Sequence, residues 1–177
     1  MHILRKVTSA LLGAIFLLAA SRSSPPSLAQ VDAFARASGS ERAMAIRIGR
    51  ALFATQWSAQ ILKVYADGAG GHHVAGLRLS GVHFHRPLTR GAFVREVAAL
   101  VSRTFAAAPV EEVDVWAAIP LSVGRGVVVS GDLAKPTSRT VFTISVRRGE
   151  PSAQIVSRMT GGRDVFWDQE WARTALK

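Results

Sequence analysis

Between Phe93 and Ala108 the apolar and near-apolar positions Phe93, Val94, Val97, Leu100, Val101, Thr104, Phe105 and Ala108 fill one arc of a helix, with Arg95, Ser102 and Arg103 opposite. Directly after Pro109, which stops that helix, the period switches to two: Val113, Val115, Ala117 and Ile119 alternate with Glu112, Asp114, Trp116 and Ala118. A one-sided helix followed by a one-sided strand buries both apolar surfaces when the helix lies on a sheet. This juxtaposition constrains the fold more than any other feature of the chain.

The flanking sequence extends the pattern. Ser38 with Glu41 three residues on predicts a capping-box start to a helix running to about Gln56. On that helix Met44, Ile48, Ala51, Leu52 and Thr55 share a face, and Ile46 and Phe53 form a second apolar line, so it is either covered on both sides or offered to a partner. Residues 59–66 and 74–84 read as two strands around the turn-rich stretch 67–71. Gly76 and Gly81 inside the second strand predict a bulge or a close approach by another backbone. Pro87 ends that strand, and Thr89 is placed to cap the central helix.

Beyond the alternating strand, Val127 to Val129 is a further apolar run, residues 131–138 read as a loop, and residues 140–148 alternate with Phe142, Ile144 and Val146 inward. A short helix from Pro151 to Met159 ends at Gly161-Gly162, and residues 164–176 read as a last helix with Trp167 and Trp171 one turn apart. The expected fold is therefore α+β: a mainly antiparallel sheet of four to five strands with helices packed on one face.

The N-terminus sets the expected location. Arg5 and Lys6 precede an apolar run from Ala10 to Ala20, and Ser27-Leu28-Ala29 places small residues before Gln30. This is the pattern of a secretory signal over residues 1–29, with an apolar stretch short for a bilayer span. A flexible lead-in over 30–39 and a single domain over 40–177 follow. About 148 residues suffice for one domain with its own core. The chain has no cysteine, which excludes a disulfide framework, a thiolate metal site, a cysteine nucleophile and a lipidated cysteine. Export without disulfides points to a bacterial periplasmic or secreted protein with no transmembrane span in the mature chain.

Without Arg5, Lys6 and Arg22, 19 cations face 12 acids, a net charge of +7. The arginines are scattered and not interleaved with aromatics, so no nucleic-acid partner is expected. An anionic envelope surface remains a suitable counterpart. Gly-rich stretches at 68–71 and 124–126 match no phosphate loop.

Four histidines fall within fourteen residues, as His72-His73 and His83-Phe84-His85. On one regular strand His83 and His85 share a face about 7 Å apart, a spacing that can supply two ligands to Zn or Cu. His72, His73, Glu112 and Asp114 are candidates for further ligands. Glu111, Glu112 and Asp114 could also pair for acid–base chemistry, and Ser130-Gly131-Asp132 could display a nucleophile, although it lacks the G-x-S-x-G elbow. Trp167 and Trp171 with Phe166 are read mainly as core residues, with a stacking platform for sugar or lipid as the alternative.

These features favour a small exported domain without catalysis or cofactor that binds another envelope component through its sheet or its first helix. The alternatives are a periplasmic metal-binding protein using His83 and His85, and a hydrolase with a carboxylate or serine site.

Overall fold

A computed structural model describes residues 41–120 and 138–177. The elements are α1 (Arg42–Phe53), β1 (Ala59–Ala69), β2 (His72–Phe84), α2 (Arg90–Ala107), β3 (Glu112–Pro120), β4 (Ser138–Arg147), α3 (Ser152–Gly161), β5 (Val165–Trp167) and α4 (Gln169–Ala175). The strands form one five-stranded sheet in the order β1-β2-β3-β4-β5. Every neighbouring pair is antiparallel except β2 and β3, which run parallel because α2 carries the chain back between them. The fold is α+β, as the switch in period requires. The Ser38 cap, the lead-in, the apolar run 127–129 and Ser130-Gly131-Asp132 lie outside the described residues.

One face of the sheet carries the core. Leu77, Leu79, Val113, Val115, Ala117, Phe142, Ile144 and Val146 are all at most 1% exposed, and the positions between them are mostly half-buried or exposed. α2 lies on this face with Phe93, Val97, Leu100 and Val101 fully buried. Its boundaries follow the sequence signals. Thr89 Oγ1 accepts from the Ala92 amide at 3.1 Å, and the last turn closes before Pro109. Thr104, buried at the apolar arc, loses no hydrogen bond, because its hydroxyl donates to the Leu100 carbonyl at 2.8 Å. Arg148 finishes the helix from outside, donating to the carbonyls of Phe105, Ala108 and Val110. α1 buries Ala45, Ile48 and Leu52, and its second line, Ile46 and Phe53, is half-buried against the same core.

Three boundaries differ from the sequence reading. The β1–β2 turn is not five residues long: the strand runs through Asp67 to Ala69, and only Gly70 and Gly71 turn, with φ of +60° and +83°. Two consecutive left-handed residues make the tight turn whose twist matches a hairpin. α1 ends at Phe53, where Trp57 Nε1 donates to the Leu52 carbonyl at 2.7 Å. The C-terminal segment is a strand and then a helix. Trp167 pairs with Phe142 in β5, and Asp168 caps α4 by accepting from the Trp171 amide at 2.9 Å.

Trp167 and Trp171 belong to the core, 7% and 5% exposed. Their rings close an aromatic cluster around Phe93, whose centroid lies 5.1 Å from Phe142, 5.9 Å from Trp167 and 5.6 Å from Trp171, all edge to face. Both indole N–H groups are satisfied, Trp167 by the Met159 carbonyl at 3.1 Å and Trp171 by the Gly81 carbonyl at 2.6 Å. Phe166, the residue before Trp167, points the other way and is 50% exposed. Among the described residues no helix is long and apolar enough to cross a membrane.

Candidate functional site

The sheet face away from the core brings together residues distant in sequence. Its composition follows from strand alternation and two pairings. Lys63, Arg78, Trp116, Thr143 and Phe166 stand in register across all five strands, and Tyr65, Gly76, Asp114 and Ser145 form the neighbouring row. Tyr65 and Trp116 sit in different rows and on strands that are not adjacent, yet their ring centroids are 5.4 Å apart at 56°. Gly76 permits this. A Cβ there would lie 1.8 Å from Tyr65 Cε1, so the tyrosine ring lies across the bare glycine to reach Trp116.

Polar groups surround the aromatic pair. Asp114 Oδ1 accepts from the Ser145 hydroxyl at 2.5 Å. Arg78 Nη2 donates to Ser138 Oγ at 2.7 Å, while its Nε is buried without a hydrogen-bond partner among the described residues. Burial, followed by the negative charges of Asp114 and Asp67, pushes the Tyr65 phenol above its ordinary pKa. The face thus offers a half-buried tryptophan and tyrosine, an exposed phenylalanine and a guanidinium with spare donor capacity. Aromatic and arginine side chains of this kind carry most of the energy in protein recognition surfaces.

Tyr65 is the only tyrosine in the chain, so its phenolate absorbance reports this site alone. The expected titration midpoint lies above about 10, and Asp114→Asn should lower it. A raised phenol pKa contributes stability that is complete below the unfolded value and is lost as pH rises through the folded one. Alkaline unfolding should therefore set in at higher pH for Asp114→Asn. An unchanged Tyr65 midpoint in that variant would separate the two side chains.

The histidines divide between the two ends of β2. His72 and His73 open the strand, whereas His83 and His85 lie at and just past its other end, roughly 30 Å along the strand. β2 is irregular between them. The register jumps from Ile61–Leu79 to Ala59–Phe84, and Ser80 Oγ accepts from the Val82 and His83 amides at 3.3 and 2.9 Å. His85 continues the pairing by donating its amide to the Ser58 carbonyl at 2.7 Å, and both imidazoles are exposed.

The carboxylates sit at the other end. Parallel pairing sets Glu112 beside Val74 and Asp114 beside Gly76, close to His72 and His73 rather than to His83 and His85. His72 Nε2 lies 3.9 Å from Glu112 Oε2, and His73 Nδ1 lies 3.9 Å from Glu41 Oε1. Among the described residues no three His, Asp or Glu side chains are grouped to hold a metal ion. A Zn or Cu ion would meet these ligands as separate pairs.

Glu111 has a structural partner. Its carboxylate accepts from the His73 amide at 2.5 Å, which holds its pKa below the usual glutamate range. Its backbone joins β2 to the end of β4, with its amide donating to the His73 carbonyl and its carbonyl accepting from the Arg148 amide, both at 2.8 Å. The acidic run is thus spread over three functions: Glu111 ties strands, Glu112 faces His72, and Asp114 joins the aromatic face.

The Tyr65–Trp116 pair is what reading the sequence missed. Trp116 was legible at an outward position of its strand, but the atoms at Gly76 are those of the Tyr65 ring and not the bulge or second backbone expected there, and the register that brings Trp116 to them is set by the β2–β3 crossover. Compared with protein-family models, curated proteins and solved structures, the chain matches none of them.

Proposed function

We propose that this is an exported domain that binds another component of the cell envelope through the helix-free face of its sheet, without catalysis or a cofactor. The observation that carries the reading is the Tyr65–Trp116 contact over Gly76. A solvent-facing sheet surface is ordinarily polar. Here a glycine at the middle of β2 makes room for an aromatic pair, and Phe166 and Arg78 extend it along the neighbouring row. Export is supported by the signal pattern of residues 1–29. The absence of catalysis is inferred from Asp114 on this face and from Glu111 just before β3, whose bonds to Ser145 and to the His73 amide suit positioning rather than proton transfer.

Capture from envelope extract tests this reading. Immobilised wild-type protein is expected to retain a discrete partner, and Trp116→Ala to retain it at least about tenfold more weakly, as for a central aromatic contact. Thr160→Ala, an exposed change on α3, should retain it fully. Equal capture by wild type and Trp116→Ala would remove the sheet face from the interaction.

A further inference from the structure

The helix layer carries a second surface of opposite character. Every exposed position on α1 and α2 is either arginine or a residue no larger than serine. Arg42, Arg47 and Arg50 project from α1, and Arg95 and Arg103 from α2, with Ala43, Ala99 and Ala106 among the small residues beside them. Arg42, Arg47 and Arg95 form no ion pair among the described residues, where the arginine–carboxylate bridges are Arg139–Asp168 and Arg158–Glu150. Glu96, the acid on α2, is engaged by the Ala59 amide at 2.8 Å. No exposed position on α1, α2 or α3 is acidic. Three acids, Asp67, Glu112 and Asp114, lie on the helix-free face, whereas Glu41 is the N-cap residue of α1, Glu111 lines a hollow with Arg47 at the end of α2, and Glu170 is exposed on α4.

We propose that the α1–α2 face docks this domain on an anionic phospholipid bilayer, its guanidinium groups engaging lipid phosphates. Charge complementarity carries the inference. A planar guanidinium fork matches a phosphate in two parallel hydrogen bonds. Small residues between the arginines let the helices approach the headgroup plane closely. The exposed positions of the two helices include no apolar side chain larger than alanine, so the contact is adsorption at the surface rather than insertion. They include no aromatic side chain on which nucleic-acid bases could stack. Both helices pack on the core face of the sheet, so adsorption through them turns the Tyr65–Trp116 face away from the membrane.

The test is cosedimentation with vesicles, using protein recovered from the envelope of the producing cell in whatever N-terminal form the cell makes. Binding is expected to vesicles of equal phosphatidylglycerol and phosphatidylethanolamine and not to phosphatidylcholine vesicles. One arginine near an anionic surface accounts for about a fivefold change in partitioning, so Arg47→Gln should weaken binding about fivefold and Arg47→Gln/Arg95→Gln about 25-fold. Arg47→Lys/Arg95→Lys should retain most of it. Arg147→Gln, which removes the same charge from β4 on the sheet side, should change binding less than about twofold. Raising ionic strength from about 0.1 to about 1 M should abolish it, as the screening length falls from roughly 10 to 3 Å. Equal loss in Arg147→Gln and Arg47→Gln would overturn the proposal, because net charge alone would then govern adsorption. So would equal binding to phosphatidylcholine, no binding to either vesicle, or displacement by inorganic phosphate at matched ionic strength, which would indicate a discrete phosphate site.

Discussion

Phe93→Ala is expected to destabilise the domain by about 3–5 kcal/mol. The ring is fully buried and meets Phe142, Trp167 and Trp171 edge to face, so its removal leaves a cavity bordered by three large rings. Those rings cannot collapse freely. Trp167 and Trp171 are fixed by hydrogen bonds to the Met159 and Gly81 carbonyls, and Trp167 is covered by Arg90, 4.5 Å from its ring centre. Domains of this kind are stable by about 5–15 kcal/mol, so the loss is a large share of the total. Urea unfolding should show a lower midpoint at unchanged slope. Phe166→Ala, at a half-exposed ring on the opposite face, should stay within about 0.5 kcal/mol of wild type. A Phe93→Ala loss below about 1 kcal/mol would mean that this cluster does not hold α2 and α4 to the sheet.

Gly76→Val should have the second largest effect, and on the site as well as on stability. The first carbon added at position 76 falls 1.8 Å from Tyr65 Cε1, with two further ring atoms at 2.0 and 2.6 Å. No small shift accommodates that contact. The ring must swing off the glycine and lose Trp116, and the crowding should cost about 1–3 kcal/mol. The gain in strand propensity over glycine offsets part of this. Two readouts separate displacement of the ring from general damage. The Tyr65 midpoint should fall toward its ordinary value as the phenol leaves its buried place beside Asp114, and the partner captured by wild type should be lost. A Tyr65 titration unchanged in Gly76→Val would contradict the arrangement of the pair.

The fold was legible where local chemistry decides it. Thr89, Pro109 and the apolar arc between them bound α2, and alternation alone assigns the inward residues of β3 and β4. Gly161-Gly162 correctly ends α3, with Gly162 in the left-handed conformation. What escaped depends on partners far along the chain. Trp167 and Trp171 at a spacing of four imitate one helical turn, and only pairing with Phe142 makes Trp167 part of a strand. Asp67 and Gly68 have turn composition, yet they extend β1 because Val74 and His73 lie opposite them.

The site was legible in pieces for the same reason. An outward Trp116 follows from period two, whereas a glycine within a strand suggested a bulge or a second backbone at Gly76 and the structure has the Tyr65 ring there. The β1–β2 hairpin sets Tyr65 opposite Gly76, and the parallel β2–β3 register, which nothing local encodes, then brings Trp116 within reach of its ring. The histidine pairs show the converse: proximity in sequence suggested one cluster, whereas a single strand holds the pairs at opposite ends. Glu112 and Asp114 then fall beside the pair nearer the β1–β2 turn.

The central claim, recognition through the helix-free face, is tested most directly by photocrosslinking in the producing cell. A photoreactive residue at Thr143, which stands in register between Trp116 and Phe166, samples the middle of that face, and one at Ser157 on α3 samples the helix layer. The expected result is a discrete adduct from position 143 that disappears when Trp116→Ala is added, with no matching adduct from position 157. An adduct from position 157 and none from 143, or one from 143 indifferent to Trp116→Ala, would contradict it.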